Sequence, residues 1–198
     1  TEDIARLEDA VLQAVSSRSE ATAVEFAHRF GFAASYYDDE ARGKGYRQLF
    51  ADPEVDVVYI ASPHAQHYEL TREALDAGKH VLCEKPMAVT LEECEAMVAA
   101  AKETGKYLMI GQNQRLAKDH AKAKELIEQG AIGKVLTFRT IFGHGGPETW
   151  SIDPGSNVWF FDKTKAAMGA MADLGIHKTD LIHFLTGQQV VRTTARVT

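Results

Sequence analysis

Between residues 55 and 130, short apolar runs alternate with amphipathic stretches, and this alternation constrains the fold more than any other feature. Residues 55–61 form a nearly continuous apolar run, broken by Ser62-Pro63. Residues 65–77 read as a helix ended by Gly78, 80–83 as a second strand, and 91–104 as a helix stopped by Gly105. Residues 107–110 read as a third strand followed by Gly111-Gln112-Asn113, and 118–129 as a helix ended by Gly130. Short apolar strands separated by helices of this length pair in parallel through crossover connections. The fold class is therefore α/β, a doubly wound parallel sheet with helices on both faces.

Upstream, residues 10–16 read as a further strand. Ser19 is placed to cap a helix with Val24, Ala27 and Phe30 on its apolar face and Gly31 at its end. Residues 32–45 read as an irregular loop with a solvated charge run, and 46–51 as a short helix. After Gly133 the pattern changes. Residues 134–142 alternate like a half-buried antiparallel strand, 144–165 form a long loop, 171–186 a helix closed by Gly187, and 189–197 another alternating strand. A boundary is placed near Ile132: residues 1–131 form the doubly wound domain, and 132–198 begin a second domain.

The formal net charge of -6 does not favour binding to nucleic acid or to an anionic membrane surface. No apolar run approaches the length of a membrane span, and no signal peptide is read at the start. Cys83 and Cys94 have no metal-like spacing and read as buried thiols, so a cytoplasmic protein with no metal site is expected.

Three strand ends converge in such a sheet: Ser62-Pro63-His64, Glu84-Lys85-Pro86 and Gly111-Gln112-Asn113. The carboxyl ends of parallel strands are where open α/β sheets bind ligands. Pro86 restricts Lys85 to extended backbone, and Thr90 to Glu93 reads as a capping box for the following helix. Spacing alone also fits a surface Glu-Lys pair. Gly-x-Gly-x-x-Gly is absent, and Gly43 and Gly45 lie in a loop with no third glycine. Asp173 and His177, four apart, share one face of a regular helix. There a carboxylate can fix an imidazole tautomer and support its protonated form, which suits a general base. A helix-surface pair fits that spacing equally. Asp180 and His183 read as solvated or capping groups.

With Glu84-Lys85-Pro86 followed across a domain change by Asp173-x-x-x-His177, the chain resembles the Gfo/Idh/MocA family of NAD(P)-dependent oxidoreductases. Residues 55–115 carry the likeness most strongly, through Asp52-Pro53-Glu54-Val55-Asp56, Ala61-Ser62-Pro63, His67, Ala77-Gly78-Lys79-His80-Val81 and Gly111-Gln112-Asn113-Gln114-Arg115. The resemblance implies an incomplete Rossmann dinucleotide-binding domain at 1–131 and, at 132–198, the beginning of a substrate and oligomerisation domain, an α+β domain with a mostly antiparallel sheet. The chain would lack the first strand with its glycine-rich turn and most of the second sheet, as a fragment of a longer protein. Lys85, Asp173 and His177 are implied as catalytic residues. Lys85 stabilises a developing alkoxide, His177 takes the hydroxyl proton, and Asp173 orients His177 and contacts substrate. Arg115 and Trp159 are implied to line a sugar pocket. Cofactor contacts are implied at Ala61, Ser62, Pro63, His64, His67, Glu84, Lys85 and Asn113.

At the end of the second Rossmann strand, Ser16-Ser17-Arg18-Ser19 offers no acid for the ribose hydroxyls of NAD. Ser17 and Arg18 can hold a 2′-phosphate, so NADP is preferred over NAD. The implied activity is hydride transfer between nicotinamide and a hydroxyl or carbonyl of a sugar, polyol or related small molecule, in a homo-oligomer, dimer or tetramer. A non-catalytic dinucleotide-sensing regulator on the same fold is the alternative. Two departures stand out: Ala167-Met168-Gly169-Ala170 where the family commonly has a glycine run, and the length of 32–45.

Overall fold

The structure, a computed structural model, describes residues 3–151, 155 and 158–196. Thr1, Glu2, residues 152–154 and 156–157 of the expected long loop, Val197 of the expected final strand, and Thr198 lie outside the described residues. The chain divides into two units. The first holds the residues up to Ile60 with Tyr68–Leu82 and Glu95–Met109; the second holds Ala61–His67, Cys83–Cys94 and the described residues from Ile110 onward.

In the first unit, β1 (Ala14–Ser17), α1 (Glu20–Phe30) and β2 (Ala34–Tyr37) make one βαβ turn. The two strands are parallel, with Ala14 opposite Ala34 and Ser17 opposite Tyr37. The Thr22 N–H donates to Ser19 Oγ at 3.3 Å, and Gly31 adopts φ 77° at the other end of α1, as a helix stop requires. Ala23 and Ala27, four apart, are the residues α1 buries, and Val24 stays exposed. β2 lies in the segment expected to be a loop. Its four residues carry no apolar run, and the ladder to β1 is what makes them a strand. The short helix α2 (Gly45–Ala51) follows and buries Leu49 and Phe50.

A second sheet has the order β3 (Val57–Ile60), β4 (His80–Cys83), β5 (Leu108–Ile110). Val81 N–H donates to Tyr107 O at 2.8 Å and Gly111 N–H to Cys83 O at 2.8 Å, so β4 and β5 run the same way. Helix α3 (His67–Asp76) follows a 3-10 turn at His64–Gln66 and joins β3 to β4; α4 (Leu91–Thr104) joins β4 to β5. Burial alternates along the strands. Val58, Ile60, Val81 and Cys83 are buried, while Val57 and Tyr59 are exposed. On α4 the buried residues are Met97 and Ala100, whereas Leu91 and Val98 are exposed.

The second unit contains α5 (Lys118–Glu128), α6 (Pro147–Trp150), α7 (Lys163–Ala166), one π-helical turn at Met171–Gly175, and α8 (Ile176–Thr186), closed by Gly187 at φ 65°. The antiparallel strands expected at 134–142 and 189–197 are not formed among the described residues. Their alternating pattern suits a strand, but a strand exists only in a ladder, and these segments form none there; Leu136 and Val191 are 85% and 97% exposed. Among the described residues no helix is long and apolar enough to cross a membrane.

Candidate active site

The turns that follow β3, β4 and β5 all belong to the second unit. Directly after β4, Glu84 accepts from the Lys85 N–H at 3.2 Å, and the Lys85–Pro86 peptide is cis. The capping box then forms in full. Glu93 N–H donates to Thr90 Oγ1 at 3.2 Å, and the Glu93 carboxylate accepts from the N–H groups of Thr90 and Val89 at 3.1 and 3.0 Å. The backbone after Lys85 is thus tied down within a few residues. Gly111 leaves room for it, because a Cβ there would lie a tight 3.1 Å from the Glu84 carboxylate.

Lys85 reaches out of this turn to the Asp173 carboxylate. Its Nζ lies 2.7 Å from Asp173 Oδ1 and 2.9 Å from the Asp173 carbonyl oxygen, and both side chains are mostly buried. Asp173 sits in the π-helical turn, where the Ile176 N–H donates to the Met171 carbonyl five residues back. An extra residue per hydrogen bond changes the angle between successive side chains. The four-residue spacing therefore no longer aims Asp173 at His177 as a regular helix would. Asp173 holds Lys85, and His177 Nδ1 is buried with no hydrogen-bond partner among the described residues. The expectation that Asp173 orients His177 by a hydrogen bond is corrected here.

His177 starts α8, is 7% exposed, and meets the ring of Phe142 edge-on at 5.8 Å. Burial pushes its imidazole below the ordinary range. The Lys85 ammonium pushes the same way, against a smaller opposing effect of the Asp173 charge. It is therefore neutral, and basic, at neutral pH.

Of the residues expected to contact cofactor, His64 is buried with Nδ1 3.0 Å from the Ala166 carbonyl, and burial lowers its pKa. His67 is fully buried, with Nδ1 2.7 Å from Pro86 O and Nε2 2.9 Å from Ser62 O. Both of its nitrogens are occupied by backbone, so it braces the two turns and has no atom left for a ligand, a correction to its expected role. Ser62 Oγ and Gln112 Oε1, after β3 and β5, are buried without hydrogen-bond partners among the described residues. Pro63 is half-buried, and Ala61 and Asn113 are exposed. Ser17 and Arg18 lie at the end of β1 in the first unit; Asp38, after β2, is held below the usual carboxylate range chiefly by its Lys44 partner, with a minor contribution from Arg18.

Trp159 stacks on Phe160 at 3.8 Å and meets the His64 ring edge-on at 4.8 Å, which joins it to the site. Arg115 makes a bidentate pair with Asp180, Nε to Oδ2 at 2.7 Å and a terminal nitrogen to Oδ1 at 2.5 Å. Asp180 is thus an ion-pair partner rather than a solvated group, and most of the Arg115 fork is engaged within the protein. His183 is half-buried, and its Nε2 is out of reach of solvent with no hydrogen-bond partner among the described residues. The residue the sequence reading missed is His144, whose Nε2 lies 3.5 Å from Asp173 Oδ2. A histidine between glycines in a long loop is its only sequence signal, and no spacing rule connects it to Asp173.

Residues 2–112 match a family model described as "Oxidoreductase family, NAD-binding Rossmann fold", and residues 120–198 match the "GFO/IDH/MocA C-terminal domain". The chain belongs to the Gfo/Idh/MocA oxidoreductase family. It is similar to levoglucosan dehydrogenase of Pseudarthrobacter phenanthrenivorans, 38% identical over 179 residues, covering 90% of this chain and 43% of that protein. It is also similar to D-xylose 1-dehydrogenase (NADP(+)) of Hypocrea jecorina, 41% identical over 131 residues, covering 66% of this chain and 32% of the relative. Among solved structures, levoglucosan dehydrogenase in complex with NADH and levoglucosan superposes with a TM-score of 0.75 at 36% identity, covering 90% of this chain and 46% of that one. The chain thus spans under half the length of these Gfo/Idh/MocA relatives. The parallel sheet with its helices is the Rossmann-like fold of this family.

Proposed function

We propose that the protein containing this chain transfers a hydride between a nicotinamide cofactor and a hydroxyl or carbonyl carbon of a sugar, polyol or related small molecule. One observation carries this reading: the Lys85 ammonium, at the carboxyl end of β4, is held 2.7 Å from Asp173, four residues before the buried neutral His177. Hydride transfer from an alcohol needs a positive charge at the oxygen and a base for its proton, and this set supplies both. Buried Ser62 Oγ and Gln112 Oε1, without protein partners among the described residues, fit the polar edge of a bound dinucleotide at the same strand ends. The cofactor supplies the hydride chemistry itself.

In this reading Lys85 stabilises the developing alkoxide, Asp173 keeps its ammonium in place, and His177 takes the hydroxyl proton. Ser62, Pro63, His64, Glu84 and Asn113 lie along the cofactor, His67 positions their turns, and Trp159 packs beside the sugar. Arg115 acts through its pair with Asp180. Ser17 and Arg18, with no acid at that strand end, support NADP over NAD. The change of pattern after Gly133 supports a Rossmann domain over 1–131 and a substrate domain from 132. The exposed Leu136 and Val191 support a homo-oligomer.

The test is steady-state turnover of the full-length protein with levoglucosan, D-xylose and myo-inositol, under NAD+ and NADP+, beside its Lys85→Ala variant. Turnover of at least one sugar, faster with NADP+, is expected, with kcat lowered about 10²–10³-fold in the variant. A variant with wild-type turnover contradicts the assignment. Cofactor binding without turnover would favour a dinucleotide-sensing regulator, and a higher kcat/KM with NAD+ would overturn the NADP preference alone.

A further inference from the structure

We infer that His144 is a positioning residue that steadies the Asp173 carboxylate at the oxygen Lys85 does not hold; the inference rests on the active-site reading above. His144 lies in the loop Gly143-His144-Gly145-Gly146, ahead of α6. The Gly146 N–H donates to His144 Nδ1 at 3.1 Å. A ring nitrogen that accepts an N–H carries no proton, so the neutral imidazole bears its proton on Nε2. That Nε2 lies 3.5 Å from Asp173 Oδ2, while Oδ1 receives Lys85 at 2.7 Å. Each carboxylate oxygen faces a nitrogen from a different segment of the second unit: Oδ1 accepts a hydrogen bond from Lys85, and Oδ2 stands in longer, ion-pair range of the His144 ring.

The loop is built to keep this tautomer. Gly146 adopts φ 112°, ψ 152°, a conformation essentially confined to glycine, and a Cβ there would run into the Glu148 carboxylate. The N–H that fixes the His144 proton thus depends on a glycine at 146. The Phe142 ring meets His144 edge-on at 6.5 Å and His177 edge-on at 5.8 Å, so one aromatic side chain borders both imidazoles. A carboxylate held through one oxygen can still rotate about its own axis and carry the ammonium with it. With the His144 ring beside the second oxygen, that rotation is restricted and the place of the Lys85 charge with it. His144 then acts on the reaction through Asp173 and Lys85, and its loss falls on kcat rather than on cofactor affinity.

The test compares the full-length protein with its His144→Ala, His144→Gln, His144→Asn and Lys85→Ala variants, assayed with the three sugars and both cofactors. His144→Ala should lower kcat about 10- to 100-fold with cofactor Kd unchanged. His144→Gln should recover most of the loss, because its amide nitrogen reaches the place of Nε2. His144→Asn, whose amide stops at the place of Nδ1, should not. Wild-type kcat in His144→Ala beside a disabled Lys85→Ala overturns the inference and leaves the active-site reading standing. Equal impairment of the Ala, Gln and Asn variants makes His144 merely structural and overturns it as well. Wild-type turnover in Lys85→Ala instead ends the active-site reading, and this inference with it. NMR of isotope-labelled histidine, with the His144 signals assigned from their loss in His144→Gln, reads the tautomer even where none of the sugars is turned over. An Nε2–H ring supports the inference, and an Nδ1–H ring overturns it.

Discussion

At the scale of single residues, burial and the Lys85 charge both disfavour the imidazolium form of His177, and burial does the same for His64. If neutral His177 is the base, the kcat/KM for alcohol oxidation should stay level as pH falls through about 6.5, the ordinary imidazole value, and drop only below it. A profile that drops at or above the ordinary value would contradict the role given to His177. The same shifts make a statement about stability. Both histidines have folded pKa values below their unfolded ones, so below about pH 6.5 the unfolded chain binds more protons than the folded one. Stability is thus lost as pH falls from that value toward the lowered folded pKa. The thermal midpoint should be lower at about pH 5.5 than at about pH 7.5, and His64→Gln should narrow the gap. An unchanged gap would mean that His64 is not kept neutral by burial.

At the scale of elements, the segment after β4 shows what a sequence can and cannot disclose. The Thr90–Glu93 capping box was legible because it is a local pattern closed by local hydrogen bonds, and all three of them form. Thr90→Ala should cost about 1 kcal/mol in denaturant unfolding of the full-length protein, and Thr90→Ser close to nothing. Equal values for the two would show that the Thr90 hydroxyl does not hold the helix start. The π-helical turn at Met171–Gly175 was not legible. Four-residue spacing implies a shared face only at the regular helical angle, and the i to i+5 bond from Ile176 to Met171 removes that premise. β2 was missed for a related reason. Ala34–Tyr37 carries no strand pattern of its own and is a strand through its pairing with β1. The alternating stretches at 134–142 and 189–197 err the other way, since they carry the pattern without a ladder among the described residues.

At the scale of the whole molecule, the residues that matter most to the proposed chemistry were legible, and their connections were not. Lys85, Asp173 and His177 could be picked from motif and resemblance because each is marked by its place at a strand end or on a helix. That Asp173 would turn to Lys85, that Arg115 would be engaged by Asp180, and that His144 would stand at the second carboxylate oxygen depend on packing between segments far apart in sequence. Family membership rests on the matches over 2–112 and 120–198, while the proposed activity rests on the meeting of these side chains. A crystal structure of the full-length protein with a nicotinamide cofactor and a sugar it turns over tests that meeting most directly. It should place Lys85 Nζ and a ring nitrogen of His177 both within about 3.2 Å of one substrate oxygen. A sugar whose reacting oxygen touches neither group would contradict the account.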